Sequence, residues 1–285
     1  MKRKIAYYQL NKEELESLQK KCVEILSFVI KAINQMGLTY YCIGGTAIGA
    51  YKYKGFVPWD DDIDIAMPRQ DFMTFIKDGA KFLPQNLVIS SCFNEKHNFF
   101  GVTKVRDSQT TFYDIETARF NVNHGVFIDI FPIDGYCSEP THLQKFKYRV
   151  FSGRIGYKQN NNKTLSQTIK GFVCSVLCLF CSPNKCRLKL EKMLMKKTID
   201  ESPCVFNRLM VFDKNIFGVP RFFKFHDLDV CLPEKTDEYL KICFGDITKD
   251  VEEEKKKQHH FAYMIDMNTP FAHYEFKKGA VRRIK

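Results

Sequence analysis

The sequence predicts an α+β fold: a mixed β-sheet core with flanking helices, broken by a basic helical insertion. Three observations carry this expectation. The chain opens on an amphipathic helix, with Leu15, Leu18, Cys22, Ile25, Leu26, Val29 and Ile33 at helical spacing. Short β-prone runs at 39–43, 60–66, 87–92, 100–106 and 126–131 then alternate with helical or turn-forming stretches. From about Ser138 the chain turns basic, helical and poor in β signals, and β character returns after Pro203. The expected organisation is one domain over 1–285, with a core at about 1–137 and 203–285 and an insertion at about 138–202.

The composition suits a folded chain with a sizeable core, at 45% hydrophobic and 14% aromatic residues. Eleven cysteines occur without a framework spacing, and no apolar leader follows Met1, so free thiols in a reducing cytosol are expected. The net charge of +11 is localised, because residues 141–215 hold fifteen Lys/Arg against four Asp/Glu while the remainder is balanced. Such a block suits an anionic partner: nucleic acid, an acidic membrane face or a polyphosphate. No stacking-aromatic RNA module is visible, which disfavours nucleic acid.

Taken in order, Asn11 and Glu14 form a capping box and Gly37 suits the end of the first helix. A short strand runs into Gly44-Gly45-Thr46 and a small-residue helix, Ala47 to Tyr53. That arrangement puts backbone N–H groups at a helix N-terminus, where a phosphate can sit, although a glycine pair alone usually marks an ordinary tight turn. Lys52 and Lys54 follow. Pro58 and the only tryptophan, Trp59, then force an extended entry into Asp60-Asp61-Asp62-Ile63-Asp64. Four like charges at this density repel unless cations neutralise them. In an extended chain Asp60, Asp62 and Asp64 share one face, while Asp61, Ile63 and Ile65 take the other. The expectation is a strand whose acidic side holds a divalent metal.

Pro68 opens a helix from Arg69 to Gly79. Lys104 and Arg106 alternate to one face of a later strand. Asp129 lies inside the apolar run Val126 to Phe131, where an unpaired charge costs several kcal/mol, so it needs a partner. A salt bridge and a share in the metal site are both open, and Asp134 reads as a turn or capping residue. The apolar run 172–181 is too short to span a bilayer, but Lys170, Lys185, Arg187 and Lys189 flank it. A helix lying in an anionic interface and an ordinary core helix both fit. Cys174, Cys178 and Cys181 fall inside this apolar helix and read as small hydrophobes, not cluster ligands. Phe222 to Cys231 reads as β, Pro233 to Phe244 as a helix, and Glu252 to Lys257 as a solvated helix face. Adjacent His259 and His260 offer metal ligands, substrate or phosphate contacts, or a loop tip. Neighbouring side chains diverge, so chelation by both is disfavoured.

A glycine turn, an Asp-x-Asp strand and a lone later aspartate suit Mg²⁺ (or Mn²⁺) shared between carboxylates and substrate phosphates. The stretch GGTAIGAYKYKGFVPWDDDIDIAMPR, residues 44–69, resembles the signature of the LicD/fukutin family. The resemblance continues through Lys104 to Arg106, His124 to Pro132, Tyr239 to Asp246 and His259-His260. It implies a nucleotidyltransferase-like fold and transfer of phosphocholine, or a related alcohol phosphate such as ribitol phosphate, from a CDP-activated donor to a glycan or lipid-linked saccharide. It further implies that Asp60, Asp62 and Asp64 bind metal, with Asp62, Asp64 and Asp129 catalytic. Gly44, Gly45, Thr46, Lys52, Lys54, Lys104 and Arg106 would then meet the donor phosphates. The family often has Arg where this chain has Lys52 and His where it has Tyr53. The expected location is cytoplasmic, peripheral at the inner membrane face. The alternative expectation is a nucleotidyltransferase that adds a nucleoside monophosphate to a small molecule or RNA.

Overall fold

The computed structural model describes residues 7–95, 97–135, 141–159, 164–178, 181–195, 203–205, 210–213, 215–247, 249 and 256–284. The opening helix α1 spans Lys12–Gln35, and its capping box forms as the sequence predicts. Asn11 Oδ1 accepts the Glu14 amide, and Glu14 accepts the Asn11 amide. The helix buries the predicted apolar stripe against the sheet. Strand β1 (Tyr41–Cys42) leads into α2 (Gly44–Ile48), which continues as a π-helical turn over Gly49–Tyr53. Next come β2 (Asp64–Pro68), α3 (Arg69–Asp78), β3 (Leu87–Ser90), β4 (Thr103–Asp107), β5 (Thr111–Asp114) and β6 (Val126–Gly135). The insertion supplies α4 (His142–Gln159), α5 (Leu165–Leu177) and α6 (Pro183–Leu194). The remaining elements are β7 (Pro203–Val205), β8 (Met210–Val211), β9 (Arg221–Phe225), β10 (Leu228–Leu232), α7 (Thr236–Phe244), β11 (Ala262–Asp266), β12 (Tyr274–Lys277) and β13 (Ala280–Arg283).

The main sheet is mixed, in the order β1-β2-β6-β4-β3, with β7 and β8 extending from β6. Only β2 and β6 pair in parallel, and their connection passes through α3, β3, β4 and β5. Strand β6 is the middle of the sheet, and Val126, Ile128 and Ile130 are fully buried on one of its faces. That burial explains why it reads as a continuous apolar run.

Two local expectations shift. The strand expected over 60–66 begins only at Asp64, because the Asp60 amide bonds the Val57 carbonyl and Gln19 Nε2 bonds the Asp60 carbonyl. The helix expected over 47–53 starts earlier, at Gly44, and loosens into the π turn. Strands β5, β11, β12 and β13 are short. Strand β5 pairs with the remote β11, a contact without a local signal.

The insertion is helical, as its composition predicts. A second small core joins Val150, Ile155, Cys178, Cys181, Cys186 and Leu190 to Phe99. The cysteines at 178 and 181 pack there as hydrophobes, and both are free thiols. Helix α6 is fastened to the sheet by buried ions. Arg69 donates to both oxygens of Asp134 at 2.8 and 2.6 Å and to Glu191 Oε2 at 2.9 Å, and Arg187 also binds Glu191. Asp134, expected at a turn or cap, is instead an ion-paired residue of β6. Residues 179 and 180 of the apolar run, residues 252–255 of the charged run, and both expected insertion boundaries lie outside the described residues. No described helix is long and apolar enough to cross a membrane.

Candidate active site

The sheet register assembles the centre of the site. Asp64, at the start of β2, lies directly opposite Asp129 of β6, and Asp129 lies opposite Lys104 of β4. Residues in register share a face, so two acids and one base form a rung across three strands. Lys104 Nζ stands 2.6 and 2.8 Å from the two Asp129 oxygens and 3.5 Å from the Phe127 ring centroid. Asp129 is therefore salt-bridged, and it lies beside Asp64 of the acidic segment.

The glycine turn packs against this rung. Gly44 has φ +55°, and a Cβ there would come within 3.1 Å of Asp64 Oδ2. A Cβ on Gly45 would fall 2.1 Å from Asp60 Oδ2, so any larger residue there has to displace that buried carboxylate. The turn is glycine because carboxylates press on it. Thr46 Oγ1 accepts the Asp64 amide at 2.8 Å, which ties the turn to the start of β2. The Gly44 amide donates to the phenolic oxygen of Tyr239 at 3.0 Å, so α7 braces the turn from behind. The sequence places Tyr239 on a helix and in the late stretch of the family resemblance, without a role at the turn.

Asp61, which alternation placed on the far side, is a central member of the site. It is buried and accepts the amides of His259 and His260 at 3.2 and 2.9 Å, with His260 Nδ1 at 3.2 Å. These bonds hold His260 beside Asp62, at 4.0 Å. Ligand atoms of Asp61, Asp62 and His260 all lie within 4.8 Å of one another, a spacing that suits one cation. The histidines diverge as expected, with one imidazole in this cluster.

Crowding shifts the protonation of Asp60, Asp62, Asp64 and His260. Burial, then the charges of Asp62 and Asp61, push the Asp60 carboxyl up to about 8. Burial and its acidic neighbours Asp62, Asp129 and Asp60 raise Asp64 well above the ordinary carboxylate range, and burial raises Asp62. Burial alone would lower His260, but its bond to Asp61 and the charge of Asp62 outweigh that and lift it to about 9. Buried acids with so few cations between them are a donor set short of positive charge. Oxygen donors with one imidazole fit a divalent cation.

A cleft of about 180 Å³ opens beside the rung, walled by Lys104, Asp129, His260, Asp114 and Thr117. Arg106, expected at the donor phosphates, is only 2% exposed. Its guanidinium lies over Phe127, donates to the Gly125 carbonyl at 3.0 Å and is a counter-charge for buried Asp114. Burial takes it out of reach of a ligand. Lys52 and Lys54 are exposed on the π turn and its left-handed end, and Lys52 Nζ binds the Ile247 carbonyl at 3.2 Å. Asp61, Asp114, Thr117 and Tyr239 are the site residues that the motif did not single out. The pairing of Asp61 with His260, 199 positions apart, has no local sequence signal.

Comparison with known proteins agrees with this geometry. Residues 37–159 match the family model for the LicD/FKTN/FKRP nucleotidyltransferase domain, which takes in the glycine turn, the acidic segment and Asp129. The chain is 25% identical over 272 residues to the lipopolysaccharide cholinephosphotransferase LicD of Haemophilus influenzae, covering 90% of this chain and all of that protein. It is 27% identical over 70 residues to the human ribitol-5-phosphate transferase FKTN, or 25% of this chain and 15% of that one. A relative matched along its whole length, and a matched domain that contains the Asp64–Asp129–Lys104 rung, make this chain similar to proteins of the LicD/fukutin family.

Proposed function

We propose that the protein transfers an alcohol phosphate, phosphocholine or a related group, from a CDP-alcohol to a hydroxyl of a cell-surface glycan or lipid-linked saccharide, releasing CMP. The observation that carries this reading is the Asp64–Asp129–Lys104 rung, with Asp60 and Asp64 packed against the glycine turn beside it. It is supported by the relatives, which are named for transferring phosphocholine and ribitol phosphate.

Asp60, Asp62 and Asp64 would hold Mg²⁺ or Mn²⁺, with His260 and Asp61 bordering Asp62. When bound, that ion supplies neutralisation of the donor phosphates and of charge on the leaving group. Lys104 orients Asp129 so that one carboxylate oxygen can take the acceptor hydroxyl's proton. The acceptor oxygen bonds to the phosphorus that bears the alcohol, the anhydride bond to CMP breaks, and CMP departs carrying the electron pair. Tyr239 and Thr46 keep the turn and the start of β2 in place during transfer. Incubation with CDP-choline labelled in the choline phosphate, and separately with each labelled nucleoside triphosphate, tests the reading. Label from CDP-choline should reach a saccharide acceptor with release of unlabelled CMP. Transfer of the nucleotide instead would establish the alternative, a nucleotidyltransferase.

The same reading includes a peripheral site of action on the cytoplasmic face of a membrane. Leu165, Ile169, Phe172, Val173 and Val176 recur along one stripe of α5 and are exposed, Leu165 at 77% and Phe172 at 62%. Leu143 and Phe146 of α4 are exposed as well, among exposed Lys145, Lys147, Arg149 and Lys170. An apolar stripe with basic neighbours matches an anionic lipid interface. Sedimentation with phosphatidylglycerol vesicles at low salt should carry the protein down, and Phe172→Glu with Ile169→Glu should leave it in solution. Indifference to the vesicles, or a dimer that buries α5, would end this part of the reading.

A further inference from the structure

A second cleft, larger than the one beside the rung at about 370 Å³, lies on the other side of the segment Tyr113 to Ala118. Its walls are β5, the 118–122 loop and the turn leading into β12. These walls are preformed. Tyr113 donates its hydroxyl to the Tyr274 carbonyl at 3.0 Å, the Phe271 amide bonds the Thr110 carbonyl at 3.0 Å, and Thr111 Oγ1 bonds the Thr269 carbonyl at 2.8 Å.

The lining divides by chemistry. Tyr113, Phe120, Phe271, Tyr274 and Phe276 present aromatic surface. Beneath them His124 stacks on Tyr113 at 4.2 Å between ring centroids, and burial together with Arg106 holds its imidazole down at about 4, hence uncharged at neutral pH. Arg119, Asn121 and Glu275 stand around this floor. Arg119 is fixed by its bond to the Lys158 carbonyl at 2.8 Å and lies over Phe120. Asn121 is exposed and Glu275 partly exposed.

An uncharged aromatic floor with a rim of amide, carboxylate and guanidinium suits a saccharide ring. The C–H face packs on the aromatics, while neighbouring hydroxyls bond the rim. A quaternary ammonium would also favour aromatics and Glu275, but Arg119 opposes a cation, and the volume and open mouth suit a ring continuing into a chain. Placement gives the cleft its use. Asp114 and Thr117 wall the carboxylate cleft, while Tyr113 and Ala118, from the same segment, wall this one. A sugar seated here abuts the partition next to Asp129.

We infer that this aromatic cleft is the acceptor-saccharide subsite; the inference rests on the transfer reading above. Two variants test it outside the carboxylate machinery: Ala272→Trp, which fills the cleft from an exposed position, and Asn121→Ala, which removes a rim contact without adding bulk. Both should transfer phosphocholine from CDP-choline to water, releasing CMP, at the wild-type rate. For saccharide transfer, the acceptor KM should rise at least tenfold in Ala272→Trp and severalfold in Asn121→Ala, with kcat at saturation little changed. Independently of turnover, saturation-transfer NMR with methyl glycosides of hexoses and N-acetylhexosamines should show ring C–H contacts in the wild type that Ala272→Trp loses. If the wild type turns over no CDP-alcohol, the transfer reading fails, while the glycoside signal still reports on the cleft. Unchanged acceptor KM in both folded variants, no glycoside contact, or choline chloride occupying the cleft in place of glycosides would overturn the assignment.

Discussion

Replacing Asp62 or Asp64 by Asn is expected to lower transfer by about 10³-fold or more, since each would remove a ligand of the cation that neutralises the reacting phosphates. Dialysis against a chelator should produce a similar loss, restored by Mg²⁺ or Mn²⁺. The same substitutions should not harm the metal-free fold. Asp60 and Asp64 carry raised carboxyl pKa values because burial and mutual repulsion oppose their ionisation. A group whose pKa is raised on folding binds its proton more tightly in the folded chain, so the fold gains stability as pH falls. Asp60 acts in this way below about 8, and His260, raised to about 9, acts in the same direction between 9 and its unfolded value. The metal-free protein should therefore melt higher at pH 6.5 than at pH 8.5. Asp64→Asn should shrink the difference, and so should added metal. A variant that keeps wild-type kcat, or that fails to fold, would remove Asp62 and Asp64 from the role given to them.

The second large effect is on stability, far from the reacting groups. Arg69→Leu removes the two-oxygen ion pair of buried Asp134 and one of the two arginine partners of buried Glu191, and should cost about 3–5 kcal/mol. For a chain of this size that is a fall in melting temperature on the order of 10 °C. Asp134→Asn in the Arg69→Leu background should cost less than it does alone, because the Arg69 ion pair that it would break is already gone. Additive costs in thermal melts would show that the ions act separately. The consequence extends to the insertion, since Arg69 is the bond between β6 and α6. Losing it should loosen the helices that carry the apolar stripe.

The fold was legible where burial writes a period into the chain. The first helix and its cap, the apolar β6 run and the break into a basic helical segment were all readable as pattern. So was the acidic concentration at 60–64, since like charges at that density require an outside cation. What was not legible depended on partners far away in sequence. Arg106 alternates with Lys104 on one strand face, and nothing local reveals that Phe127 and Gly125 enclose its guanidinium while Lys104 reaches Asp129. Asp134 looked like a turn residue because its partner Arg69 sits 65 positions earlier.

The PWDDDID segment shows the division most clearly. Its sequence determined that charge would be concentrated beside a glycine turn, and that some of the acids would face away from the buried Ile63 and Ile65. Tertiary structure alone decided which acid does what. The strand starts at Asp64, not Asp60, so simple alternation does not apply to the residues before it. Asp61 then turns to hold the His259-His260 backbone, and register across β2, β6 and β4 sets Asp64 against Asp129 and Lys104. Alternation is a property of one extended chain, whereas register and backbone capture depend on contacts between segments 25 to 199 residues apart.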